Sequence, residues 1–184
     1  MLSDLASVRS KLFDTVIGLV PRDQWGDQAD KGGATLNGVL LHLGRHHDLA
    51  VNAVVRDHEP LFLDHRDALG LTHAPVHVGI AESEDRDATR HVHPGALVDY
   101  LTAVFDRTEA WLGELGTLVL DSVPHTDHRL TQRALLREHD LPWLYRMWEG
   151  KPIWWFVQWP VIGHGHTHVG EAISIRNRMG LSPF

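Results

Sequence analysis

Helical periodicity is the feature of this sequence that most restricts its fold. Four segments place apolar residues three and four positions apart, at about 3–20, 35–56, 94–115 and up to Met179. This spacing puts apolar side chains on one face of an α-helix. Alternating patterns typical of half-buried strands are weak. The sequence therefore predicts an all-α protein, and its 184 residues suit a single domain over 1–184.

Residues suited to helix ends flank these segments. Those expected at starts are Ser3, Thr35 and Pro94, and those expected at ends are Pro21 and Gly180. Pro160 leaves two alternatives for the fourth helix. It either opens that helix or kinks a longer one that begins at Ile153, because proline lacks the N–H that a helix interior needs.

Two long connections join the predicted helices. Residues 57–93 form a connection of 37 residues without a convincing long helix. If the second and third helices run parallel, the chain must cross the length of the bundle there. The other connection, 116–151, is expected to hold one shorter helix around 131–148.

The charge balance and apolar content exclude several classes of partner. The chain has 17 Lys and Arg against 24 Asp and Glu, a formal charge of -7. With no basic stripe or polybasic segment, we expect neither a nucleic-acid nor a membrane partner. The longest apolar stretch, 152–162, is 11 residues, and the first residues lack the basic region of a signal peptide. A cytoplasmic protein is expected.

Histidine is unusually frequent, with 15 residues, and cysteine is absent. Two histidines four positions apart on a helix share a face, so they can hold one metal ion while another helix adds a third ligand. Three such pairs occur: His42/His46, His73/His77 and His164/His168. About one is expected by chance, so spacing alone is weak evidence. Pro75 makes the second pair unsuitable for a helix.

The helical wheel favours two histidines in the fourth helix. His164 and His168 lie beside its apolar sector with Glu171 next to them, while His166 lies almost opposite. They are either metal ligands or core-edge histidines satisfied by hydrogen bonds. Arg176 falls inside the apolar sector. It is expected to have a structural role, pairing with a buried acid, rather than to hold a substrate carboxylate.

The second helix offers two candidate ligands. On the wheel, both His42 and His46 can face inward, whereas His47 faces away from His42. The wheel therefore does not choose between His42 and His46.

Two stretches resemble the DinB/YfiT-like superfamily of metal-binding four-helix bundles. Residues 40–48 resemble its second-helix motif, with His42 at the ligand position. Residues 163–171, with Arg176 and 179–181, resemble its fourth-helix motif, with His164 and His168 at the ligand pair. The resemblance implies metal ligation by His42, His164 and His168, with His46 at most near the metal.

The resemblance also implies a fold and an activity. The fold is an up-down-down-up bundle with a long crossover between helices two and three. Characterised members are transferases and isomerases that use a small thiol, mycothiol or bacillithiol. Related iron-dependent sulfoxide synthases carry the pattern His-x-x-x-His-x-Glu, but here Gly170 stands at the last position and the acid follows at Glu171. That function is therefore disfavoured.

The main functional hypothesis is a metal-dependent enzyme acting on a small molecule. One divalent transition metal, zinc or nickel, would lower the pKa of a bound thiol or water. The thiol must come from a cofactor, because the chain has no cysteine. Glu171 is the candidate catalytic residue, as a proton carrier or as a hydrogen-bond acceptor for a ligand; the alternative is a solvated carboxylate.

Two other functions stay open from the sequence. One is a non-catalytic, metal-binding stress-response module that forms a homodimer, and the other is a metal-dependent hydrolase. Five tryptophans precede the fourth helix and are expected to line a pocket, form a dimer face or fill the core: Trp143, Trp148, Trp154, Trp155 and Trp159.

Overall fold

The computed structural model describes residues 1–29, 33–81, 86–116 and 119–183. Within these ranges the chain is helical and forms no β-strand, so the predicted all-α class is confirmed. The only pairing of extended backbone in them is an isolated bridge between Gln28 and Thr35. Across the same ranges, the helices are all too short or too polar to cross a bilayer.

The helices follow one another with short π-helical extensions. In chain order they are α1 (Leu2–Leu12), α2 (Leu36–Asp48), α3 (Leu61–His65), α4 (Arg86–Arg90), α5 (Pro94–Glu114), α6 (Thr126–Arg133), α7 (Pro142–Trp148), α8 (Ile153–Phe156) and α9 (His164–Arg178). The π-helical segments Phe13–Ile17 and Leu49–Val55 extend α1 and α2, and Val157–Gly163 joins α8 to α9.

Four helices pack around the main core. Helix α2 packs against α5 and α9, and α1 packs against the same two helices. The apolar stripes supply the core as predicted, including Leu5, Val8, Leu12, Leu97, Leu101 and Val104. Leu19 shares the helical spacing of Leu5, Val8 and Leu12 in the sequence, which predicts a buried position, but it is exposed. The helical backbone ends at Ile17, so Leu19 no longer follows that face.

Local capping signals predicted some helix ends correctly. The Thr35 side chain accepts a hydrogen bond from the Gly38 N–H at 3.1 Å and so caps α2. Gly180 follows α9 with φ +79°, the left-handed conformation that glycine adopts without strain. The expected cap at Ser3 is wrong, because the first helical turn begins one residue earlier and uses Met1 as its N-cap.

Pro160 lies inside a continuous helical run rather than at its start. Helix α8 begins at Ile153, and Pro160 falls in the π-helical segment that leads into α9. Because proline has no N–H and clashes with the preceding turn, the wider π-helical turn accommodates it. The second of the two alternatives is therefore the observed one, and the first residue after this segment is His164.

The connection 116–151 differs from its prediction. Instead of one helix over 131–148, it contains the two helices α6 and α7. Leu135 adopts φ 56°, which ends the first helix, and Pro142 occupies the first turn of the second. The periodic apolar pattern continues across this break, which is why it resembled a single helix.

A buried polar cluster fastens the first part of the connection 57–93 to α2 and α5. Asp48 is fully buried and accepts hydrogen bonds from the N–H groups of Leu61 and Phe62 at 3.0 and 2.8 Å. The Tyr100 hydroxyl of α5 donates to the same carboxylate at 2.9 Å. Burial raises the pKa of Asp48. This one side chain therefore ties α2, α3 and α5 together.

Candidate metal centre

Two glycines let the helices that carry the candidate ligands approach their neighbours closely. A Cβ added at Gly44 of α2 would lie 2.9 Å from both Leu101 and Tyr100, and one added at Gly165 of α9 would lie 2.9 Å from Val8. Gly44 lies between His42 and His46 of α2, and Gly165 lies between His164 and His168 of α9. The close packing of these turns sets where the four imidazoles meet.

Four imidazole rings form one cluster at the contact between α2 and α9. The centroid of His42 lies 4.4 Å from that of His46, 5.0 Å from that of His164 and 4.5 Å from that of His168. His46 and His168 lie 4.6 and 4.3 Å from His164. His164 is half-buried and the other three are buried.

Two of these rings bring their Nε2 atoms close to the Nε2 of a third, His164. His164 Nε2 lies 3.1 Å from His42 Nε2 and 3.0 Å from His168 Nε2. His42 Nδ1 faces the Gly79 carbonyl at 3.1 Å, and His168 Nδ1 faces a Glu171 oxygen at 2.9 Å. Each Nδ1 must carry a proton to donate to an oxygen, and in a neutral ring this leaves Nε2 with a bare lone pair.

Hydrogen bonding alone does not account for this convergence. His164 Nε2 carries at most one proton, so it can donate to only one of its two Nε2 neighbours. The remaining contact would set two lone pairs against each other. A cation accepts all three lone pairs at once, and metal-bound histidines typically donate their other N–H to a carboxylate or a backbone carbonyl. The donor set therefore fits a divalent metal.

His46 is a fourth candidate ligand. His42, His46 and His164 each offer a ligand atom, and these atoms all lie within 4.8 Å of one another. His46 Nε2 donates to the Ile80 carbonyl at 3.0 Å, which leaves Nδ1 for a metal. The helical wheel allowed His46 to face inward but did not select between His42 and His46 as the metal ligand. The structure brings His46 into the cluster. Two candidate ligand sets thus share His42 and His164.

Burial keeps these imidazoles in the form that binds metals. Burial, followed by the neighbouring His168, lowers the pKa of His42 to about 4 and that of His164 to about 3. Burial also lowers the pKa of His46 well below its usual value. All three are neutral at pH 7, and neutral imidazole is the ligating form.

Glu171 contacts the cluster through His168. The hydrogen bond from His168 holds the pKa of this half-buried carboxyl below its usual value, so Glu171 is ionised at neutral pH. It therefore receives the N–H of His168 and orients the ring with Nε2 toward His164. Of the two roles predicted for Glu171, this geometry corresponds to the hydrogen-bond acceptor.

The remaining candidates on α9 and α2 lie elsewhere. Arg176 is buried and donates to the Thr15 carbonyl and the Asn177 side chain. Its role is thus structural, but its partners are neutral groups rather than the expected buried acid. His47 points to α5, where its Nε2 pairs with Thr108 at 2.9 Å. Among the described residues, the ring contacts of the cluster do not include His166.

A loop of the connection 57–93 orients two of the histidines, and no pattern in the sequence indicated this. Arg45, on the turn between His42 and His46, donates to two carbonyls of loop 76–80. The next two carbonyls, of Gly79 and Ile80, accept from the two histidines. Arg45 is fully buried, with its guanidinium 3.5 Å from the centre of the Phe62 ring. The loop therefore fixes which nitrogen of each ring faces inward.

Gly79→Ala should weaken metal binding by about 10–100-fold, the usual cost of losing a hydrogen-bond partner of a ligand. Gly79 has φ +77°, and a Cβ there would lie 2.8 Å from Leu41, so the loop must move away from His42. Gly70→Ala is the matched control, since Gly70 has φ +79° and its Cβ would meet the ring of His93. Metal titration should separate the two variants, and equal affinities would contradict the role of the loop.

A cavity of about 380 Å³ borders the cluster. His42, His46 and His164 line one side of it. Its other walls are mainly apolar and include Ile80, Trp143, Met147, Trp148, Trp159 and Pro160. Three of the five tryptophans noted in the sequence thus line a pocket. Of these three, Trp148 is fully buried. Trp154 is exposed and is not among the lining residues.

Similarity to known proteins gives no independent assignment of this site. No protein-family model, curated protein or solved structure matches the chain. The assignment therefore rests on the converging imidazoles and the cavity beside them.

Proposed function

We propose that this protein is an enzyme that holds one divalent transition metal, zinc or nickel, with His42, His164 and His168. The observation that carries the proposal is the approach of the His42 and His168 Nε2 atoms to the Nε2 of His164, beside a cavity that His42 and His164 line and that can admit a small molecule. Imidazole suits zinc and nickel, and three protein ligands leave a coordination position free. A metal held there supplies Lewis acidity, which lowers the pKa of a thiol or water that enters the cavity.

The residues of the chain would hold the metal, orient its ligands and line the space in which a substrate binds. Glu171 and the Gly79 carbonyl hold the rings of His168 and His42 in one tautomer. The indole rings line the space next to His164. Because the chain has no cysteine, the nucleophile comes from outside. We propose a small thiol of the mycothiol or bacillithiol type, used in transfer or isomerisation.

The family resemblance supports the choice of thiol chemistry. We propose that the chain is a divergent DinB-like protein with the up-down-down-up order of helices. The ring of contacts among α1, α2, α5 and α9 is compatible with that order. Homodimerisation and a cytoplasmic location stay predictions.

A non-catalytic metal-binding module is the second candidate, and His46 is the observation that favours it. If His46 binds together with the other three histidines, four imidazoles close a tetrahedral site and leave no position for a substrate. The two candidates therefore differ in whether an added thiol reaches the metal.

Metal analysis followed by thiol titration tests the proposal. Purified protein should hold close to one divalent metal per chain. Mycothiol or bacillithiol should raise the Tm of the metal-loaded protein only, because a ligand that binds the folded state alone stabilises it. The S-methylated thiols are matched controls that should have no effect. Bound metal with no response to any thiol would favour the closed module or a hydrolase, and absence of bound metal would refute both.

A further inference from the structure

We propose that the cavity selects a substrate bearing an uncharged aromatic or similarly flat apolar ring, and that Trp143 and Trp159 determine this selectivity. The inference rests on the proposed function, since it names the substrate class of the same site. The substrate reaches the histidines with its reacting group and places its ring between the indoles.

The cavity walls match a flat apolar ligand. Trp143, Trp148 and Trp159 present indole rings to it, and Met147 adds a flexible side chain that adapts to a ring. Aromatic rings stack favourably on indoles beyond the gain from burying area. A volume of about 380 Å³ lies within the range of small-molecule sites.

Two of the tryptophans that line the cavity are partly exposed, so we place them at its mouth. Trp143 is 38% and Trp159 46% exposed, whereas Trp148 is completely buried. The Trp143 ring stacks beside His46, with centroids 6.0 Å apart and an angle of 26° between the planes. The Trp159 ring lies over Gly163, the residue directly before His164. A Cβ added at Gly163 would lie 3.1 Å from that ring. A ligand entering toward the imidazoles therefore passes both indoles.

The lining offers no partner for a charged substituent. Among the described residues that border the cavity, none is Asp, Glu, Lys or Arg. Three cations lie near the lining residues in the sequence. Lys151 lies over the Trp155 ring, Arg45 donates to loop 76–80, and Arg146 is exposed and is not among the lining residues. A carboxylate placed among the indoles would lose its hydration without a compensating partner, which is costly. The cavity therefore discriminates against ring-bearing anions.

The test compares two thiols that differ in one charge. Calorimetric titration of the zinc-loaded protein with benzyl mercaptan should give a Kd at least about tenfold lower than with 4-(mercaptomethyl)benzoate. Trp143→Ala and Trp159→Ala should each weaken benzyl mercaptan binding by about tenfold. Trp154→Ala is the matched control, since Trp154 is 42% exposed outside the cavity lining, and should leave the Kd unchanged.

The outcomes separate this inference from the proposed metal centre. Bound zinc with equal Kd values for the two thiols, or equal effects of all three tryptophan variants, would overturn the inference and leave the metal centre standing. If no metal binds, the proposed function fails. Benzyl alcohol is then titrated into the metal-free protein. Binding that is weakened by Trp143→Ala but not by Trp154→Ala would support ring selection. No binding, or equal effects of the two substitutions, would overturn it. Circular dichroism checks that each variant is folded.

Discussion

His164→Ala should abolish stoichiometric metal binding, because His164 belongs to both candidate ligand sets. Its Nε2 is the atom that approaches the Nε2 of both His42 and His168. Losing a direct ligand should weaken binding by more than the ~10–100-fold that follows loss of an outer hydrogen-bond partner. Equilibrium dialysis against zinc or nickel, with metal measured per chain, gives the result.

Three further variants make this experiment decisive. His166 lies on the same helix, outside the ring contacts of the cluster, so the His166→Ala variant should keep its metal. We expect His168→Ala to lose the metal and His46→Ala to retain it. The reverse outcome would assign the site to His42, His46 and His164. Equal loss in the His164, His166 and His168 variants would contradict the whole assignment.

Asp48→Ala should lower the free energy of unfolding by about 3–5 kcal/mol, the largest effect expected on stability. The substitution leaves four buried donors without this acceptor: the N–H groups of Leu61 and Phe62, the Tyr100 hydroxyl and the Asn52 side-chain amide. Each unsatisfied donor is expected to cost roughly 1–3 kcal/mol, offset in part by relaxation. It also removes the carboxylate near the buried Arg45 guanidinium. Urea unfolding followed by circular dichroism measures the change.

A surface carboxylate provides the comparison for Asp48. Asp106 pairs with Arg9 at 2.6 Å but is 59% exposed, so water replaces the lost interaction. Asp106→Ala should therefore change the unfolding midpoint little. If Asp48→Ala changes the unfolding midpoint as little as Asp106→Ala does, the buried cluster does not fasten the connection 57–93 as described.

Local sequence patterns determined the helical class and several helix ends. Periodicity located α2, α5 and the end of α9, because a helix face is defined by residues only three or four positions apart. Thr35 and Gly180 marked ends for the same reason, since a cap acts within one turn. The single helix expected over 131–148 failed at Leu135, whose left-handed backbone has no signature in an apolar pattern.

The centre itself depended on tertiary structure. The wheel turned His42, His46, His164 and His168 inward, but it could not say which nitrogens converge. The convergence depends on how closely α2 and α9 pack, and these helices carry His42 and His164, which are 122 positions apart in the sequence. It also depends on the Gly79 carbonyl, which holds the His42 ring in one tautomer. The sequence alone thus supplied the candidate ligands. Only the folded chain decided their orientation and placed the indole-lined cavity beside them, because both arise from contacts between distant segments.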